Sequence, residues 1–229
     1  MAAHSGGIVT STTLMVNYPA AVEAGHLAQE HERLGVGLHF QLTGGGRPAL
    51  AAEQVRSLVD GQGLFRPIAN GLSGADPKEA LAEGRAQLKR FHELVGRAPT
   101  HFDSHHHVHK LPVGEEVLLT LAWETGLPVR GASAEGRARL AREGLRTTDT
   151  FIEDFYDEGA SLERLLAILG SLELGTTELM CHPAQPDAEL LATSGYAAAR
   201  ARELEILTHE EVRQTIQAAG IALVSFAAL

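Results

Sequence analysis

Strand-like and helix-like stretches alternate along this chain. Ile8 to Val16 is rich in β-branched residues and reads as a strand, ended by the turn chemistry of Asn17 and Pro19. Ala20 to Arg33 holds helix formers throughout, and Leu34 to Phe40 returns to strand. Gly44 to Pro48 is a loop, and Ala51 to Ala75 is turn-rich with no clear period. Asp76, Pro77 and Glu79 supply an N-cap, a proline at the first helical position and an acid two residues on, a strong helix start. Leu81, Leu88, Phe91, Leu94 and Val95 then lay one apolar stripe against a core. Thr100 to Ser104 is a short strand, and Glu115 to Thr125 a helix stopped by Gly126 and Pro128. A helix over Ser161 to Leu169 precedes a strand over Thr177 to Cys181. Gly195 to Leu207 is helical, and Thr208 with Glu211 forms a capping box for a last helix. Gly220 closes that helix before a strand over Ile221 to Phe226.

Strands alternating with helices of this length mean βαβ units and a parallel sheet, open or closed into a barrel. With no internal repeat, low-complexity tract or linker, one α/β domain over residues 1–229 is the economical expectation. A chain this long buries about 70–75% of the surface its unfolded form exposes, so its core needs no staple.

Composition narrows the function classes. Against 29 Asp and Glu stand 19 Lys and Arg, a net charge of −10, with no basic cluster, which argues against nucleic acid as partner. The first residues lack the basic and apolar regions of a signal peptide, and no window approaches the roughly 18 apolar residues of a membrane span. A lone cysteine, Cys181, has nothing to pair with inside the chain and reads as a packed, inert thiol. The expectation is a soluble, cytoplasmic protein without a membrane partner.

The unusual feature is 12 histidines, five of them between His101 and His109. In parallel α/β folds the chemistry collects at the carboxyl ends of the strands. Three predicted strands end at or near a histidine: His39, His105 and His182. In HFDSHHHVH an extended backbone sends Asp103, His105, His107 and His109 to one side, a row suited to a divalent metal, with a solvated polar loop as the alternative. His39 is either a ligand or a satisfied structural histidine, and His182, between Cys181 and Pro183, a structural residue or a proton donor.

TSTTLMVN (Thr10 to Asn17), GVGLHFQLT (Gly35 to Thr43), PTHFDSHHHVHKLP (Pro99 to Pro112) and the segment from Glu178 to Leu207 together carry a resemblance. In order, and over essentially the whole chain, they resemble the signatures of the YdjC-like carbohydrate deacetylases, which include the chitooligosaccharide deacetylases. The resemblance implies a distorted (β/α) barrel and a metal-dependent hydrolase acting on the N-acetyl group of an amino sugar. It makes His39 and His105 metal ligands, His182 a general acid and Arg130, in PVRGAS, a substrate-side arginine. Asp103 is expected to act catalytically by orienting a histidine of the cluster, not as the base. The family resemblance points to magnesium as cofactor, whereas two imidazoles suit zinc, cobalt or iron, and it admits a homodimer. Members of the family open with a first strand ending in an NADDFG-like motif that supplies the third ligand and the base. Met1 here falls within the following helix, so the expectation is a start assigned about 20 residues too late. Two other classes stay open: a non-catalytic metal- or sugar-binding protein, and a different metal-dependent barrel enzyme such as a sugar isomerase.

Overall fold

The computed structural model describes residues 1–70 and 72–229, the side chains of Asn70, Glu189 and Thr193 set aside. In chain order the elements are α1 (Ala2–Ser5), β1 (Ser11–Leu14), α2 (Ala21–Glu30), β2 (Gly35–Phe40), α3 (Pro77–Val95), β3 (Phe102–Ser104), α4 (Pro112–Thr125) and α5 (Ala134–Arg142). There follow β4 (Thr150–Ile152), α6 (Leu162–Gly170), β5 (Thr177–Leu179), α7 (Ala188–Thr193), α8 (Ala197–Leu207) and α9 (Glu210–Ala218). They group into two compact units, one of Ser11–Thr147 with Ser225–Leu229, the other of Met1–Thr10 with Thr148–Val224. Every pairing between these strands is parallel, as the alternation of strands and helices predicts. They form a three-stranded and a two-stranded sheet, and a closed barrel goes beyond these ladders. Among the described residues no helix is long and apolar enough to cross a membrane.

In the larger unit the sheet runs β1-β2-β3, with His39 directly beside Asp103 and Phe40 beside Ser104. Central strand β2 is buried along almost its whole length, as expected for a parallel strand covered on both faces, and Val36, Leu38 and Phe40 enter a core shared with Phe91, Phe102, Leu118 and Leu121. Helix α3 starts where the sequence signals it, Asp76 accepting a hydrogen bond from the Lys78 amide at 2.7 Å, and stops at Gly96 in the left-handed conformation.

The stripe of α3 differs from expectation. Phe91 and Val95 are buried, but Leu81, Leu88 and Leu94 are only partly so, and the fully buried positions include Glu83 and Gln87. Hydrogen bonding offsets their desolvation: the Glu83 carboxylate accepts from the Ala49 and Leu50 amides at 2.8 and 3.0 Å and from Gln87 Nε2 at 2.8 Å. Gln87 also accepts from the Gln41 amide and donates to the Gln41 carbonyl, tying α3 to the end of β2.

In the smaller unit β4 and β5 pair in register Thr150 to Thr177, over a core of Phe155, Leu165, Ile168, Ile206, Leu207, Val212 and Ile216. The predicted strand Ile8 to Val16 shrinks to β1, because Ile8 and Val9 pack against this core and Ile8 donates its amide to the Leu207 carbonyl at 3.2 Å. The predicted last strand, Ile221 to Phe226, is irregular: the Ile221 amide bonds back to Ile216, and the Val224 carbonyl accepts from the Thr10 hydroxyl instead of a neighbouring strand. The cap of α9 is His209, whose Nδ1 accepts from the Glu211 amide, since Thr208 turns its hydroxyl back onto α8.

Candidate active site

The register of the three-stranded sheet brings the candidate chemistry together. Neighbouring parallel strands place His39 and Asp103 side by side on one face, and Thr13, two residues along from the opposite position on β1, joins them. Asp103 Oδ1 lies 2.6 Å from His39 Nδ1, while Oδ2 lies 2.8 Å from Arg130 Nη1 and accepts from the Thr13 hydroxyl at 3.2 Å. Arg130 reaches it because its own amide donates to the Phe102 carbonyl, extending the sheet edge past β3.

The electrostatics follow from burial and these partners. Asp103 is 1% exposed, which alone would favour its neutral form, but His39 and Arg130 hold the carboxyl far below the usual carboxylate range. An ionised Asp103 can only accept, so His39 donates to it from Nδ1 and its Nε2 points away from the carboxylate. This is the arrangement by which a carboxylate fixes the tautomer of a metal-ligating imidazole. The expected orienting role of Asp103 therefore falls on His39, from another strand, and not on a histidine of its own cluster.

The His-rich block does not continue as a strand. After Ser104 the chain turns into a short helical segment, His105–Lys110, with His106 and His107 in the left-handed region at φ 52° and 50°. The single row of Asp103, His105, His107 and His109 is thus broken, and the block divides in two. His105 lies with its ring centroid 5.7 Å from that of His39, and His106 packs on His105 at 3.7 Å. His109 instead pairs through Nδ1 with the Ser104 hydroxyl, with the His107 ring 5.5 Å away. Burial pushes His105 and His109 down to about 3, so both are neutral at pH 7. Gly44, at φ 87°, closes over the first group: a Cβ there would stand 2.6 Å from His106 Cε1 and 2.9 Å from His105 Nε2.

Sequence reasoning passed over Thr13 and Gly44. Thr13 lies inside the TSTT segment that carried the resemblance, and three consecutive glycines from Gly44 to Gly46 signal left-handed backbone; neither signal names a partner. Arg130, expected on the substrate side, is committed to Asp103 through Nη1, is 11% exposed and lines a cavity of about 390 Å³ with His109, Leu118 and Leu140.

Among the described residues no three His, Cys, Asp or Glu side chains form a group able to hold a metal ion. His39 and neutral His105 match two nitrogen ligands of such a site in donor type.

His182 belongs to the smaller unit. Its amide is bound by the Glu203 carboxylate, and its ring meets those of Tyr156 and Tyr196 edge-on at 5.5 and 5.9 Å. Glu203 also accepts from the Tyr196 hydroxyl; burial raises both groups above their usual ranges. Arg200 donates to the His182 carbonyl at 3.2 Å.

The chain is similar to several known proteins. A carbohydrate deacetylase from Thermoanaerobacter pseudethanolicus is 39% identical over 99% of this chain and 90% of its own length. A chitooligosaccharide deacetylase from Yersinia enterocolitica is 38% identical over 96% of this chain and 88% of its own. A crystal structure from Enterococcus faecalis, described as that of a cellobiose-phosphate cleavage protein, superposes with a TM-score of 0.92 at 36% identity, covering 99% of this chain and 90% of that one. Residues 1–218 match the YdjC-like protein family, and the chain is a member of that family.

Proposed function

We propose that this protein is a metal-dependent carbohydrate deacetylase, hydrolysing the N-acetyl group of an N-acetylated amino sugar or chitooligosaccharide to acetate and a free amine. The hydrogen bond from His39 to buried Asp103 carries the reading, because a carboxylate holds the imidazole by Nδ1 beside the neutral imidazole of His105. The names of the relatives supply the substrate class.

His39 and His105 would hold a divalent cation, which when bound polarises the acetyl carbonyl and lowers the pKa of a coordinated water. Magnesium is the choice by resemblance; zinc, cobalt or iron suits two nitrogen ligands better. Asp103 keeps the His39 proton on Nδ1, and Arg130 with Thr13 holds Asp103 in place. With both oxygens occupied and its carboxyl strongly acidic, Asp103 acts as a positioning residue and not as the base. Arg130 would meet substrate from the cavity it lines. The general-acid role of His182 is proposed from the resemblance of its segment alone. A cytoplasmic location and a homodimer go with the same reading.

Release of acetate and free amine from di-N-acetylchitobiose tests it. The expected result is release that chelation abolishes and one divalent cation restores. A protein supplied in turn with magnesium, zinc, cobalt and iron that releases no acetate overturns the reading. Binding without release would favour a metal- or sugar-binding relative, the alternative to which the two-imidazole donor set points.

A further inference from the structure

The smaller unit holds an aromatic pair that the chemistry above does not use. Tyr156 and Tyr196 stack with centroids 4.2 Å apart and planes 6° from parallel. Their separations from His182, 5.5 and 5.9 Å, make a nearly isosceles triangle, so the imidazole stands beside both rings and not over the outer face of Tyr156. Tyr156 remains 45% exposed.

A single exposed aromatic residue is ordinary on a protein surface. Tyr156 differs because it is immobilised from three sides. Phe155 before it is fully buried in the core. Asp157 after it is held at φ 52°, its amide donating to the Tyr196 hydroxyl at 2.8 Å and its carbonyl accepting from Arg202. Tyr196 in turn is bound by buried Glu203, and Arg200 Cζ lies 5.5 Å from its ring centroid. A left-handed non-glycine residue persists where its surroundings over-determine it, and such positions gather at ligand clamps. The product is a rigid aromatic face with the His182 imidazole at its edge.

We propose that the outer face of Tyr156 is a stacking platform for a pyranose ring of a carbohydrate ligand. The apolar C–H face of a sugar packs on an aromatic ring while its hydroxyls reach bordering donors and acceptors, and a ring already fixed loses little entropy on binding. Tyr156 is thus a carbohydrate-binding residue of the smaller unit, and the proposal rests on the carbohydrate reading given above.

The test compares wild type with Tyr156→Ala, Tyr156→Phe and Tyr156→Trp, using di-N-acetylchitobiose as probe in calorimetric binding and in acetate release, with thermal melting as fold control. The alanine variant should melt like wild type and bind about tenfold more weakly. Phenylalanine and tryptophan should keep wild-type affinity. Unchanged affinity in the alanine variant overturns the platform and leaves the deacetylase reading intact, as does equal weakening in all three variants. Weakened binding in the alanine variant alone, with no acetate released by wild type, keeps the platform and overturns that reading. A wild type that neither binds nor turns over the probe overturns both.

Discussion

Replacing Asp103 by Asn changes one atom at the point where three strands and Arg130 meet. The native carboxylate accepts from His39 at 2.6 Å, Arg130 at 2.8 Å and Thr13 at 3.2 Å. An asparagine offers one acceptor oxygen and one NH2 group. With the oxygen toward Arg130, the NH2 faces His39 Nδ1 and draws the imidazole into the other tautomer, which closes the Nε2 lone pair with a proton. With the oxygen toward His39, the NH2 faces the guanidinium, donor against donor. In both orientations Arg130, 11% exposed, loses the negative charge of Asp103. Breaking a buried pair from one side costs about 3–5 kcal/mol, and losing the carboxylate behind a metal-ligating histidine costs about 10–100-fold in metal affinity. Urea unfolding, metal titration and acetate release should register these losses together. The double variant Asp103→Asn with Arg130→Gln separates them: removing both charges should recover part of the stability while the rate stays low, because the tautomer is still wrong. An Asp103→Asn protein with unchanged metal affinity and rate would refute the orienting role.

Gly44→Ala places a Cβ against His105 and His106 at a left-handed φ, so acetate release should fall at least about tenfold, with a melting loss of about 1–2 kcal/mol; normal kinetics would show that the loop gives way freely. His101, 1% exposed and stacked on Phe226 at 3.9 Å, is pushed down by burial to about 3. Its folded pKa lies below the unfolded value near 6.5, so the unfolded chain takes up the proton first and stability falls as pH drops from 6.5 toward 3. The slope is about 1.4 kcal/mol per unit, or about 2 kcal/mol at pH 5. Unfolding curves for wild type and His101→Phe should diverge in that window, and parallel curves would contradict this. Asp103, with its pKa depressed, stays ionised throughout it. Glu83→Gln turns NH2 donors toward the amides that Glu83 now serves, and should lower stability by about 1–3 kcal/mol in a melting experiment, an unchanged melt being the contrary result.

What was legible in the sequence is what depends on local periodicity and turn chemistry. Asp76 and Pro77 open α3 and Gly126 stops α4, because those signals lie within a few residues of what they predict. The site itself joins residues far apart in sequence: nothing near Asp103 indicates that His39 is its partner, and nothing near Arg130 indicates that it closes the carboxylate from the other side. The turn at His106 and His107 was invisible because neither residue advertises a left-handed backbone, and a 2-residue period carried past Ser104 gave the wrong row. The stripe of α3 was misread for a related reason. Leucines look like core, but Glu83 and Gln87 are buried because the loop through Ala49 and Leu50 and the end of β2 present unpaired backbone groups to them. Polar and apolar spacing carries no record of those groups. Helix α5 and strand β4 are short and weakly patterned, and were not predicted.

The most direct test of the central claim is acetate release from short N-acetylglucosamine oligomers by the 229-residue chain, supplied with several divalent metals, beside a His105→Ala variant shown to be folded by circular dichroism. The account predicts release by wild type with at least one metal and its loss in the variant. Release that survives the substitution would contradict it by placing the chemistry away from the His39 and His105 pair.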